Sequence, residues 1–182
     1  MTFADRLTVA RAVSAPVVVL LFAVDFPNHN YWGTVVFCVA MSTDWFDGRI
    51  ARRSGRTSSF GSLLDPVADK VLVLATLVVL LDQDVFPAWM VAAIVGRELL
   101  VSGLRLAALE RGVVIAARDL GKLKTWSQAI AAAVGGLAAA GVWSDSVSWW
   151  FLLLAVALTW LSGLDYARSA PSVLRSRAAV AP

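Results

Sequence analysis

An all-helical, polytopic membrane protein is the fold class this sequence predicts, and three observations carry it. The 182 residues are 59% hydrophobic and only 16% charged, with a mean hydropathy of +0.73, whereas soluble domains run roughly half apolar and a quarter charged. Apolar runs long enough to span a bilayer, about 20 residues each, recur along the whole chain. Lys and Arg fall on alternate connections between those runs and are missing from the others.

In chain order the predicted helices cover 7–25, 31–52, 62–81, 87–107, 121–141 and 147–166. The first follows Arg6, and with no small-x-small cleavage site after it, it reads as a retained helix rather than a leader. Turn-prone breaks separate the six: DFPNHN, RRSGRTSS, DQDVFP, LERGVVIAARD and SDS. Residues 1–168 form one domain with no internal repeat, and SAPSVLRSRAAVAP at 169–182 reads as a flexible cytosolic tail. In helix 5, Gly135-Gly136 and the surrounding alanines permit close helix packing, internal or between subunits.

Orientation follows from the basic residues. Connections 26–30, 82–86 and 142–146 contain no Lys or Arg, whereas the amino terminus, 53–61, 108–120 and the tail hold Arg6, Arg53, Arg56, Arg111, Arg118, Arg175 and Arg177. The positive-inside rule then puts both termini in the cytosol. Trp32, Trp89, Trp143 and Trp149 fall at the opposite helix ends, where an interfacial aromatic belt would lie. A formal charge of +3 does not argue for nucleic acid as a partner. The single cysteine, Cys38, lies in an apolar run, so there is neither a disulfide framework nor a thiolate metal site. The lone His29 sits in a connection.

Against that plan, four carboxylates stand out. Helix 2 ends in STDWFDGRIARR with Asp44 and Asp47, and helix 3 begins in FGSLLDPVADK with Asp65 and Asp69. Both ends are cytosolic, so the four share one depth. Residues three or four apart lie on one helix face, so each pair converges, and adjacent antiparallel helices would aim both pairs at one pocket. An aspartate near a span's centre costs roughly 2.5–3.5 kcal/mol, less toward the interface. A cap at Asp65 before Pro66, or an ion pair from Asp47 to Arg52, would explain one residue but not the set. Hard oxygen ligands gathered in this way point to Mg²⁺ or Mn²⁺, as one ion or two, and such ions hold phosphates. Gly48 and Arg52 follow Asp44 at one-turn steps and Ala51 follows Asp47. That leaves an open backbone face and a guanidinium suited to a phosphate.

Asp44-x-x-Asp47-Gly48-x-x-Ala51-Arg52, eight residues, Gly61, three residues, Asp65, three residues, Asp69 resembles the signature of the CDP-alcohol phosphatidyltransferases at every specified position. The resemblance implies a six-helix membrane fold, usually homodimeric, with a cytosol-facing cavity that transfers a phosphatidyl group from a CDP-linked donor to an alcohol. It implies that Asp44, Asp47, Asp65 and Asp69 ligate two divalent ions and that Asp69 is also the catalytic base. Thr8, Gly48, Arg52 and Ser58 then contact the CDP donor. The opening Leu7-Thr8 with Arg11 is similar to the family's first helix, although Asp5-Arg6 stands where an asparagine often precedes it.

The second half resembles the branch of the family that makes phosphatidylglycerolphosphate, through Arg97-Glu98, Ser102-Gly103-Leu104-Arg105, Gly112, Ala116, Gly121-Lys122, Lys124-Thr125, Gln128 and Leu158-Thr159-x-x-Ser162-x-x-x-Tyr166. This implies CDP-diacylglycerol as donor, glycerol 3-phosphate as acceptor and a bacterial cytoplasmic membrane as location. Arg105, Lys122 and Lys124 at cytosolic helix ends are the candidates for the acceptor's phosphate. Arg97, near the middle of helix 4, is expected to face the protein interior. A contact to another helix is favoured over pairing with Glu98, because sequence neighbours point about 100° apart; whether Arg97 meets substrate or steadies the acids stays open. The rival within the family is a cardiolipin synthase using phosphatidylglycerol. From another class, an ion-coupled transporter is disfavoured by acids clustered at one surface and by the lack of a repeat.

Overall fold

The computed structural model describes the backbone at residues 3–54, 59–110 and 119–178, and side chains mainly over 13–43, 70–108 and 121–165. These residues form α1 (Phe3–Ala23), α2 (His29–Ser54), α3 (Ser59–Asp82), α4 (Ala88–Glu110), α5 (Asp119–Ala139) and α6 (Asp145–Ala178), with no strand among them. Each predicted helix is present, with ends shifted by a few residues in the first five. The sixth is longer. It runs 34 residues, so that 169–178, expected as flexible tail, continue it as helix. Helix thus persists after the apolar pattern stops, although Pro171 lies within this stretch. Residues 179–182 lie outside the described set.

Short connections turn the chain back on itself. Asn28 and Asp84 adopt left-handed backbone in two of them, at φ 61° and 60°, a conformation that Asn and Asp tolerate better than most residues. Gly141, at φ 72°, closes α5. α1 packs on both α2 and α3, and α5 also packs on both. The most extensive contact is α5 on α6, and α4 leans on α6 and, more lightly, on α3. Where the axes meet, the core holds Val18, Phe22, Phe37, Leu72, Leu77 and Leu80, with Met90, Ile94, Leu152 and Ala155 completing it toward α4 and α6.

The contribution of Gly135-Gly136 is internal. A β-carbon on Gly136 would collide with the Thr34 hydroxyl of α2, and one on Gly135 with the Phe86 ring. α5 can lie this close to α2 and to the α3–α4 connection because both positions lack a side chain.

Among the described residues many large apolar side chains face outward: Leu20, Leu99, Leu100, Trp150, Leu154 and Leu161 are each more than half exposed. Among the described residues one helix, Asp145–Asp165, is by itself long and apolar enough to cross a membrane, with a mean hydropathy of 1.8. Trp32, Trp89 and Trp143 project outward. Trp149 turns inward against the core, with its ring edge-on to Trp150 at 4.9 Å, because it adjoins the buried stripe of Ser148, Leu152, Ala155 and Thr159.

Candidate active site

A polar knot fixes which helix ends meet. Gln83 Nε2 donates to Phe22 O and to Asn30 Oδ1, both at 2.9 Å, and Asn30 Nδ2 donates to Ala139 O at 2.9 Å. The carboxyl ends of α1, α3 and α5 therefore lie beside the start of α2. The opposite end of the bundle gathers the starts of α1, α3 and α5 with the end of α2. Backbone positions there include Thr8 on α1, Asp44, Asp47, Gly48 and Arg52 on α2, Asp65 and Asp69 on α3, and Lys122 and Lys124 on α5. Each aspartate pair sits on an unbroken helix at three- or four-residue spacing, so each shares one face. Side chains of the aspartates, Thr8 and Arg52 are outside the described set, as are all of Ser58 and the predicted motif positions Gly112 and Ala116. Among the described residues no three His, Cys, Asp or Glu side chains come together.

Beside this end lies a buried polar cluster among the described side chains. Its centre is Glu98 on α4, whose side chain is 4% exposed. Glu98 Oε1 accepts from the Lys124 ammonium of α5, from Arg97 Nη1 at 3.2 Å and from Gln128 Nε2 at 3.3 Å. Its Oε2 faces Lys70 Nζ of α3 at 3.8 Å, and that ammonium donates to Ser102 Oγ at 2.7 Å. α6 completes the set: Gln128 Nε2 donates to Thr159 Oγ1 at 2.8 Å and Arg97 Nη2 to Ser162 Oγ at 3.0 Å.

Helical spacing explains why these residues meet. Glu98 and Ser102 are four apart on α4, Lys124 and Gln128 four apart on α5, and Thr159 and Ser162 three apart on α6, so each pair occupies one face. Lacking a close backbone approach, α4 and α5 are bridged here by long side chains, while both pack on α6. Arg97 lies across α6 at Gly163, where an added β-carbon would stand 3.1 Å from Nε. That Nε is buried without a hydrogen-bond partner among the described residues. An ion pair so enclosed is strongly coupled to its surroundings: removing one partner of a buried pair costs about 3–5 kcal/mol.

Two expectations change in detail. Arg97 faces the interior as predicted, at 4% exposed, but it pairs with Glu98 as well as reaching Ser162 on another helix. Its long side chain swings back to a carboxylate that the 100° offset had seemed to place out of range. Lys124, expected at an open helix end, is only 8% exposed and already engaged by Glu98, whereas Arg105 and Lys122 remain on exposed positions. Glu98 and Lys70 carried no site role in the sequence reading. The signal was there in Glu98, an acid in the middle of an apolar run.

The cluster gathers residues from all three carboxyl-terminal helices that the resemblance had singled out: Arg97, Glu98, Ser102, Lys124, Gln128, Thr159 and Ser162. Residues 1–161 match the CDP-alcohol phosphatidyltransferase family as a whole. The chain belongs to the CDP-alcohol phosphatidyltransferase family. Within it, the chain is 38% identical over 178 residues to a Bacillus subtilis protein named CDP-diacylglycerol–glycerol-3-phosphate 3-phosphatidyltransferase, covering 89% of this chain and 91% of that one. Proteins of the same name from Rickettsia bellii and Escherichia coli K12 are 37% and 35% identical, over 89% and 90% of this chain and 91% and 92% of theirs. As a CDP-alcohol phosphatidyltransferase, the protein is a transferase of phospholipid biosynthesis.

Proposed function

We propose that this protein transfers a phosphatidyl group from CDP-diacylglycerol to glycerol 3-phosphate, giving phosphatidylglycerolphosphate and CMP. The work is done at the cytosolic face of a bacterial cytoplasmic membrane that all six helices cross, in a homodimer. The observation that carries the acceptor assignment is the convergence of the second-half motif residues on one buried cluster beside the aspartate-bearing helix ends. The relatives' names support the same reading.

Four hard carboxylates on two helix faces at one end of the bundle fit a pair of divalent cations, and Asp44, Asp47, Asp65 and Asp69 would hold them. Mg²⁺ or Mn²⁺ bound there would supply stabilisation of charge on the donor pyrophosphate. Thr8, Gly48, Arg52 and Ser58 bind the CDP moiety; Gly48 admits it to the backbone and Arg52 forks onto a phosphate. Asp69 takes the proton from the acceptor hydroxyl, and the freed oxygen attacks the phosphatidyl phosphorus while CMP leaves. Arg105, Lys122 and Lys124 hold the acceptor's own phosphate, a role that calls for cations fixed in place.

The test is CMP release by the purified protein in detergent, with CDP-diacylglycerol and Mg²⁺ or Mn²⁺, offered glycerol 3-phosphate, phosphatidylglycerol or inositol phosphate in turn. Release with glycerol 3-phosphate alone is expected. Release only with phosphatidylglycerol would keep the aspartate chemistry and reassign the acceptor to cardiolipin synthesis.

A further inference from the structure

We propose that Glu98 is the positioning residue of the acceptor side: its buried carboxylate fixes the Lys124 ammonium, and thereby sets affinity for the phosphorylated alcohol. The inference rests on the reading that Lys124 holds the acceptor's phosphate. Glu98 touches neither donor nor acceptor in this scheme and acts through the lysine.

Three observations carry it. Glu98 is the common counter-ion for cations from three helices, accepting hydrogen bonds from Lys124 of α5 and Arg97 of α4 and facing Lys70 of α3, and it accepts from Gln128 as well. A lysine as buried as Lys124 needs a paired charge to stay inside, and Glu98 is the carboxylate that the structure places against it. The carboxylate is itself immobilised, because Arg97 is anchored to Ser162 and Gln128 to Thr159 on α6. A flexible ammonium on a four-carbon stem is thus held at one point, which a surface lysine would not be. Lys70 extends the arrangement to α3, where it follows Asp69 directly in sequence.

Steady-state CMP release by the full-length protein tests this with three variants: Glu98→Gln, Lys124→Gln and the double substitution. Glu98→Gln keeps the shape and removes the charge. Its KM for glycerol 3-phosphate should rise about 10-fold or more, the scale on which losing an orienting partner acts, with KM for CDP-diacylglycerol within about 2-fold of the parent's. In the Lys124→Gln background the same change should add little, since the residue through which it acts is gone. Glu98→Asp, which keeps the charge on a shorter stem, should fall between. Gln128→Ala, which takes one hydrogen bond from the same carboxylate and leaves the ion pair, gives a smaller shift in the same direction if Glu98→Gln accumulates poorly. A Glu98→Gln enzyme with unchanged kinetics, with both KM values and kcat altered together, or with a lower acceptor KM would overturn the inference. Lys124→Gln with an unaltered acceptor KM would instead sink the underlying assignment of Lys124.

Discussion

Substituting alanine for Gly136 tests whether the α2–α5 approach is as tight as the structure has it. The new β-carbon would land on the Thr34 hydroxyl, with Thr34 Cβ and Cγ2 only 3.1 and 3.2 Å away. Thr34 has little room to yield, being 3% exposed with its hydroxyl donated to Asn30 O at 2.7 Å and its rotamer restricted by branching. Overpacking of this kind costs about 1–3 kcal/mol, partly offset by about 0.5–1 kcal/mol from replacing a helical glycine. A net loss of about 1–2 kcal/mol would lower the melting temperature by roughly 2–8 °C for a chain of this size. Thr34→Ala on its own should also be mildly destabilising, by about 1 kcal/mol for the lost hydroxyl bond. Combined, the two should be more stable than additivity allows by about 1–2 kcal/mol, because removing the hydroxyl and methyl makes room for the new carbon. Thermal unfolding in detergent followed by tryptophan fluorescence reads all four proteins. Additivity within about 0.5 kcal/mol would refute the packing argument.

Further outcomes follow from the site. Asp69→Asn should fold and insert but lose turnover by about 10²-fold or more, the usual contribution of a general base; near-normal CMP release would remove it from that role. Chelation with EDTA should abolish CMP release, and added Mg²⁺ or Mn²⁺ should restore it, whereas full activity in chelator would exclude the aspartates as ion ligands. Arg105→Gln and Lys122→Gln should each raise KM for glycerol 3-phosphate several-fold while leaving KM for CDP-diacylglycerol near its parent value, and equal shifts in both would point to a general loss of structure. Gln83→Leu, at the far end of the bundle, removes the donor to Phe22 O and Asn30 Oδ1. It should lower stability by about 1–3 kcal/mol without moving either KM.

What could be read from the sequence was whatever depends on neighbours along one helix. The apolar runs gave six helices nearly in place, and the spacing of Asp44, Asp47, Asp65 and Asp69 assigned them to shared faces before any fold was known. Arg97 was legible as an interior residue because an isolated guanidinium in an apolar helix has nowhere else to go. The partner of Arg97 was harder, since rotation about the helix axis predicts where a side chain leaves the backbone and not how far five bonds can carry its tip. The role of Gly135-Gly136 depends on Thr34 and Phe86, about a hundred and about fifty residues away, and no local pattern encodes such a meeting. Lys124 looked exposed because helix-end lysines usually are; Glu98, on a helix that barely touches α5, is what draws it in. The extension of α6 past 166 was hidden by the end of the apolar pattern, which marks where a hydrophobic face stops and not where a helix must.

The placement of Arg97 and Glu98 bears on how the chain is made. Both stand midway along α4, yet apart from each other and Lys70 their partners are on α5 and α6, which leave the ribosome later. If α4 crosses a bilayer as proposed above, a carboxylate and a guanidinium midway along it are costly until they are enclosed. A nascent chain that has reached only residue 110 holds a fourth helix whose charged pair has no hydroxyl, amide or ammonium from downstream to receive it. Completion of the sixth helix, bringing Thr159, Ser162 and the gap at Gly163, therefore also completes the fourth. A chain truncated before α6 should hand α4 to the insertion and quality-control machinery as an unfinished segment.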